Sequence, residues 1–262
     1  MEGELSVTRR RWFSGLAIFF AIVFGVALFG WIGLLFGWFS NEDGGIHRVH
    51  NVGGSGVAIG LLVAGALVAL AWKRRASALL QQIAAVGLGF ALAALLAADP
   101  LPALFLVLAA IPVIVLLAVG RGWRSFLSFD GPADPYMLAV TVVSIPFWLA
   151  YSLAMAHQER IGLPSDPHIQ MHHWTSMAAM AIAIVLVAGL SSFRPAGWEW
   201  TGVFAGAGAV VYGVASVVFA RFPGSSVPYP GGEGVVWGLA AIVWGVAFAV
   251  LTRFRASGAV AP

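Results

Sequence analysis

Three imidazoles crowd one short stretch of this chain, Asp166–Met180, DPHIQMHHWTSMAAM, at His168, His172 and His173. Imidazole is the commonest metal-binding side chain, and two of them at i and i+4 of a helix share a face and can grip one ion. Asp166 and Pro167 read as a helix start, a capping carboxylate followed by proline at the first helical position. On one continuous helix His168 and His172 would chelate together. His173, turned well round the axis, would serve a second ion or a hydrogen-bond partner.

A second stretch has the same plan. In Ile46–Gly60, IHRVHNVGGSGVAIG, His47 and His50 stand three apart, on neighbouring faces of a helix that Asp43 could cap. His157-Gln158-Glu159 adds an imidazole and a carboxylate that could bind metal or orient a ligating histidine. The expected metal set is therefore His47, His50, His157, His168, His172, His173 and Glu159. For a single one of them the ordinary reading is an interfacial side chain hydrogen-bonded to water, and for Glu159 a solvated helix end. Their density, and their recurrence at matched places, favour a site.

Imidazoles with carboxylates suit zinc, copper or iron. Cysteine is absent, which excludes thiolate sites, iron–sulfur clusters and catalytic thiols. Met171, Met177 and Met180 stand at helical spacing and read as core filler. One alternative is a b-type haem held between His50 and His173, with the small residues Gly53–Gly54–Ser55–Gly56 against its flat face. A further alternative is a metal-free transporter or binding protein whose histidines respond to pH. With metal, the roles open to the site are redox chemistry, metal-assisted hydrolysis and metal handling. HxxxHH also resembles one histidine box of the membrane fatty-acid desaturase and hydroxylase families, and His47xxHis50 resembles a truncated one. The resemblance implies a di-iron centre. It extends over these two motifs only, and those families carry further ligands, on the cytoplasmic side.

The elements that must position these residues are membrane helices. Sixty per cent of the chain is hydrophobic, 10% is charged, and the mean hydropathy is +0.92. Apolar runs of twenty-odd residues recur throughout, each long enough to cross roughly 30 Å of hydrocarbon. A β-barrel would show short alternating segments instead. The reading is an all-α polytopic protein with eight spans: 12–39, 46–72, 77–98, 101–119, 136–157, 167–192, 200–222 and 235–254. Short connections leave no room for a soluble domain, so residues 1–262 form one integral membrane unit. The run after Arg9, Arg10 and Arg11 is too long for a signal-peptide core.

All Lys and Arg except Arg48, Arg160 and Arg221 fall on the side of the amino terminus. That side is expected to be cytoplasmic, both termini with it, in a multi-pass protein of the cell membrane. Every histidine then falls on the outer side, with Glu42, Asp43, Asp99, Glu159, Asp166 and Glu233. The order of features also suggests two parallel four-helix halves, about 12–121 and 136–255. An offset of 123 residues brings Ile46 onto Ile169, His50 onto His173 and Pro100 onto Pro223. His50 and His173 would be counterparts. The expected partners are the lipid bilayer and a small-molecule or metal ligand. The basic residues sit in short loops as topology determinants and do not indicate nucleic acid. No nucleotide-binding loop, nucleophile elbow or HExxH motif is present, and the lone Lys73, at a helix end, excludes a retinal Schiff base.

Overall fold

The computed structural model describes residues 6–74, 76–120, 122–129, 132–227 and 234–258. Arg75, Arg121 and Glu233, and the side chains of Glu42 and Asp43, lie outside the described residues. Among the described residues, eight helices are long and apolar enough to cross a membrane. They are α1 (Val7–Ala27), α2 (Arg48–Trp72), α3 (Ser77–Ala97), α4 (Leu101–Gly120), α5 (Pro135–Ile161), α6 (His173–Ser192), α7 (Trp198–Val218) and α8 (Gly234–Gly258). The all-helical, eight-span reading therefore holds.

α6 is the axis of the bundle, packed on α2, α3, α5 and α7. Its apolar residues run all round, as a helix buried in other helices requires. α1, α4, α5 and α8 form the rim and turn most of their residues outward. Several buried polar side chains inside the spans bond to nearby backbone. Gln82 Nε2 donates to the Leu62 carbonyl at 2.7 Å, and Ser152 Oγ donates to that of Trp148 at 2.9 Å. In hydrocarbon no water would do this for them.

Two expected helices are interrupted. Residues 12–39 do not form one rod. α1 passes into a wider π turn at Val23–Ala27, Phe29 adopts a left-handed backbone (φ 59°), and a separate helix runs from Gly30 to Phe36. A π turn is a recognised cause of such a kink. The Trp31 ring occupies the space a side chain on Gly25 would need, 2.3 Å from its Cβ position. Beyond the kink, Gly30 lies directly on the backbone of Gly60, and Gly33 on the carbonyl of Asn51. Glycine allows this close approach between membrane helices.

The Gly53–Gly56 run proves to be a packing surface. Gly53 faces Met177, Gly54 faces Ser176, and Gly56 lies against the backbone of Leu34. Neighbouring helices fill the space against these glycines, so helix packing accounts for them. The second interruption falls at the histidine motif.

Candidate metal centre

Asp166 caps the short helix Pro167–Gln170, its Oδ1 accepting the His168 amide at 2.9 Å, as the Asp-Pro pair implied. That helix stops at Met171. His172 takes a left-handed backbone (φ 52°), and α6 begins only at His173. HxxxHH is therefore not one helical face, and the expected His168–His172 chelate is corrected. The turn separates those two imidazoles and brings His168 to His173. A left-handed residue with a side chain costs about 1–2 kcal/mol. Offsetting it, His172 Nδ1–H donates to Asp99 Oδ2 at 2.6 Å.

Four imidazoles meet where α2 and α6 begin. His47 Nδ1 and His173 Nδ1 share a hydrogen bond at 3.0 Å. Ring centroids lie 4.5 Å apart for His47 and His168, 4.8 Å for His50 and His168, and 5.2 Å for His50 and His173. Trp174 closes one side, 4.7 Å from the His50 ring and 5.2 Å from that of His168. His47 and His50 are 1% exposed and His168 is 5% exposed, so bulk solvent does not reach them. Both nitrogens of His50, and Nε2 of His168, are buried with no hydrogen-bond partner among the described residues.

The tautomer of His168 follows from its neighbour. Burial raises the Asp166 carboxyl, but the His168 amide and imidazole outweigh it and hold the acid below its ordinary range. As an anion, Asp166 accepts His168 Nδ1–H at 2.9 Å. Nε2 then carries the lone pair, which is how carboxylates orient metal-ligating histidines.

Gly224 covers His50 from the α7–α8 connection. Its φ is +80°, and a Cβ there would stand 2.9 Å from His50 Nε2. Its carbonyl accepts the Tyr151 hydroxyl at 2.5 Å and that of Tyr212 at 3.4 Å. Two fully buried tyrosines thus hold the strap so close to His50 that only a residue without a side chain fits against its Nε2.

A second group adjoins the first. Asp99, Glu159 and His172 each offer a ligand atom, all within 4.8 Å of one another, and together could hold a metal ion. Asp99 lies just past the end of α3 and also accepts Thr175 Oγ1–H at 3.2 Å. The Glu159 side chain is 5% exposed, against the ordinary expectation of a solvated helix end. Its Oε2 accepts the Thr175 amide at 3.2 Å, capping α6 from a neighbouring helix, and its Oε1 lies 3.9 Å from His172 Nδ1. Adjacent positions, His172 and His173, join the two groups.

Of the expected set, His47, His50, His168 and His173 converge, and His172 and Glu159 meet Asp99. His157 does neither: it is exposed on α5 and is absent from the imidazole ring contacts. Sequence reasoning named no role for Asp99, although its placement on the histidine side was the signal that could have found it. Gly224, Tyr151 and Trp174 carried no such signal. The His50–His173 pair does not suit haem. The two rings are wedged among His47, His168, Trp174 and Gly224, with no slot for a macrocycle between them. No protein-family model, curated protein or solved structure matches this chain.

Proposed function

We propose that this protein handles a late first-row transition metal, zinc or copper, bound by His47, His50, His168 and His173. The observation that carries the reading is His50. It is a fully buried imidazole with neither nitrogen hydrogen-bonded among the described residues, facing three other imidazoles, with Gly224 close against its Nε2. Leaving such a group unmade costs about 1–3 kcal/mol in each copy of the fold, and a ligand removes that cost. Neutral imidazoles without sulfur or carboxylate suit zinc and copper. Two nitrogens bound to one tetrahedral ion at about 2.0 Å lie roughly 3.3 Å apart, close to the 3.0 Å of the His47–His173 pair.

Four imidazoles drawn in on one ion would complete a tetrahedral shell and leave no open position for substrate, which favours holding or passing on the metal over hydrolysis. Asp99, Glu159 and His172 provide a more accessible oxygen-and-nitrogen set beside the buried tetrad, where an incoming ion meets charge first. The orientation follows the Lys and Arg distribution, with the histidine end on the outer side of the cell membrane.

Protein purified without chelator and titrated with zinc or copper(II) against a chromophoric competitor tests this. Tight binding that His50→Ala and His168→Ala each weaken by a hundredfold or more is the expected outcome. Equal binding by wild type and both variants would contradict it. If metal is absent and the variants alter only a pH response, the histidines are proton sensors instead.

A further inference from the structure

A lateral groove of about 460 Å³ opens where the kinked first span meets α2. Phe29, Ile32 and Phe36 form one wall, Asn51 and Ser55 the other, and Met171 closes the end beside His172. Phe29 is 62% exposed, Phe36 64% and Met171 56%, so in a bilayer the groove opens directly to lipid. Its floor is glycine. A Cβ on Gly37 would stand 3.0 Å from that of Asn51, and one on Gly33 would overlap the Asn51 carbonyl.

Two features distinguish this groove from ordinary lipid-facing relief. Asn51 and Ser55 are half-buried within a membrane span, four residues apart, and neither side chain hydrogen-bonds to any described residue. Unpaired amide and hydroxyl groups are costly in hydrocarbon, so a polar group from outside the chain is the missing partner. In addition, no charged residue lines the groove among the described residues. The cation at its rim, Arg48, is already engaged by the Ser40 carbonyl at 2.6 Å and by Asn41 Oδ1 at 3.4 Å, which disfavours fatty-acid carboxylates and phospholipid headgroups as occupants.

We propose that this groove binds an isoprenoid quinone. The Asn51 amide and the Ser55 hydroxyl donate to a ring carbonyl, the exposed Phe29 and Phe36 rings face the flat head, and the apolar tail leaves into the bilayer. The volume falls within the ordinary range of small-molecule sites and suits a substituted ring with the first part of its chain. The kink at Phe29 and the glycines of the short helix are what open the space. The site stands on its own observations and does not depend on the metal reading, although Asn51 directly follows His50.

Equilibrium binding of radiolabelled decyl-benzoquinone to the full chain, in nanodiscs of quinone-free phosphatidylcholine, tests it. Saturable binding to one site is expected, weakened at least tenfold by Asn51→Leu and by Ser55→Leu, which remove the donor or fill the groove. Asn51→Gln, keeping the amide, is expected to retain part of the affinity. Oleate and dioleoylglycerol are expected to compete weakly. Absence of saturable binding, indifference to both leucine variants, or equal displacement by dioleoylglycerol would overturn the proposal. Phe36→Ala, on the opposite wall, supplies a second reading should a leucine variant fail to fold. The same binding measured in His50→Ala separates this site from the metal centre.

Discussion

The two ends of the bundle both gather buried charge and polarity, and they do so differently. At the amino-terminal end Asp134 has a fully buried side chain whose acceptor positions are filled. Its Oδ1 takes the Tyr136 and Met137 amides at 3.0 and 3.1 Å, capping α5. Its Oδ2 takes the Arg194 guanidinium and, at 2.6 Å, that of Arg255. At the other end His50 is equally buried, and neither ring nitrogen has a hydrogen-bond partner among the described residues. A carboxylate whose acceptor positions are filled explains itself as structure, tying α5 to the end of α6 and to α8, with Arg194 Nε the donor of that cluster left without a partner among the described residues. An open imidazole cluster asks for a ligand. Burial and composition alone would not separate them; counting satisfied donors and acceptors does.

Breaking each end should therefore give opposite signatures. The largest effect expected is on metal. His50→Ala should remove a hundredfold or more of affinity and leave the helical circular dichroism unchanged, since it deletes a ligand and leaves the packing standing. Asp134→Ala should do the reverse. It strands two arginines and uncaps a helix, for a loss on the order of 3 kcal/mol in reversible unfolding, with metal binding retained. Asp166→Asn separates orientation from ligation: the His168 tautomer is no longer imposed, and metal affinity should fall about 10–100-fold. Smaller still, Tyr151→Phe leaves the Gly224 carbonyl only the longer Tyr212 bond and should cost about 1 kcal/mol of stability while speeding metal exchange.

The pH dependence sharpens the same contrast. Burial alone would raise the Asp134 carboxyl, but the Met137 amide and the Arg255 and Arg194 guanidiniums together hold it below its ordinary range. Its contribution is thus present above the unfolded carboxyl range, near pH 4, and is lost as pH falls through the lower folded value. Unfolding measured from pH 6 to pH 2 should show this acid loss in the wild type. In Asp134→Asn it should be reduced.

Much of the fold was legible because hydrocarbon imposes length and composition on anything that crosses it. The eight apolar runs and the Asp-Pro helix start at Asp166 needed no tertiary information. The breaks at Phe29 and His172 did. Neither left-handed position carries a glycine, and each is held by contacts from distant residues: the glycine packing against α2, and the Asp99–His172 bond. The second break matters most for function, because one residue in the left-handed region exchanges which imidazoles meet. Spacing proposed His168 with His172, and the turn delivers His168 with His173. That the histidine pairs belong together could be read from their shared side of the membrane; their geometry could not.

The central claim is a metal ion held by imidazole alone. X-ray absorption at the metal edge of protein loaded with one equivalent of zinc tests it most directly. The account predicts a shell of about four nitrogens near 2.0 Å with the outer-shell scattering of imidazole rings, diminished in His50→Ala. A first shell dominated by oxygen, unchanged in His50→Ala, would contradict it and move the metal to Asp99, Glu159 and His172.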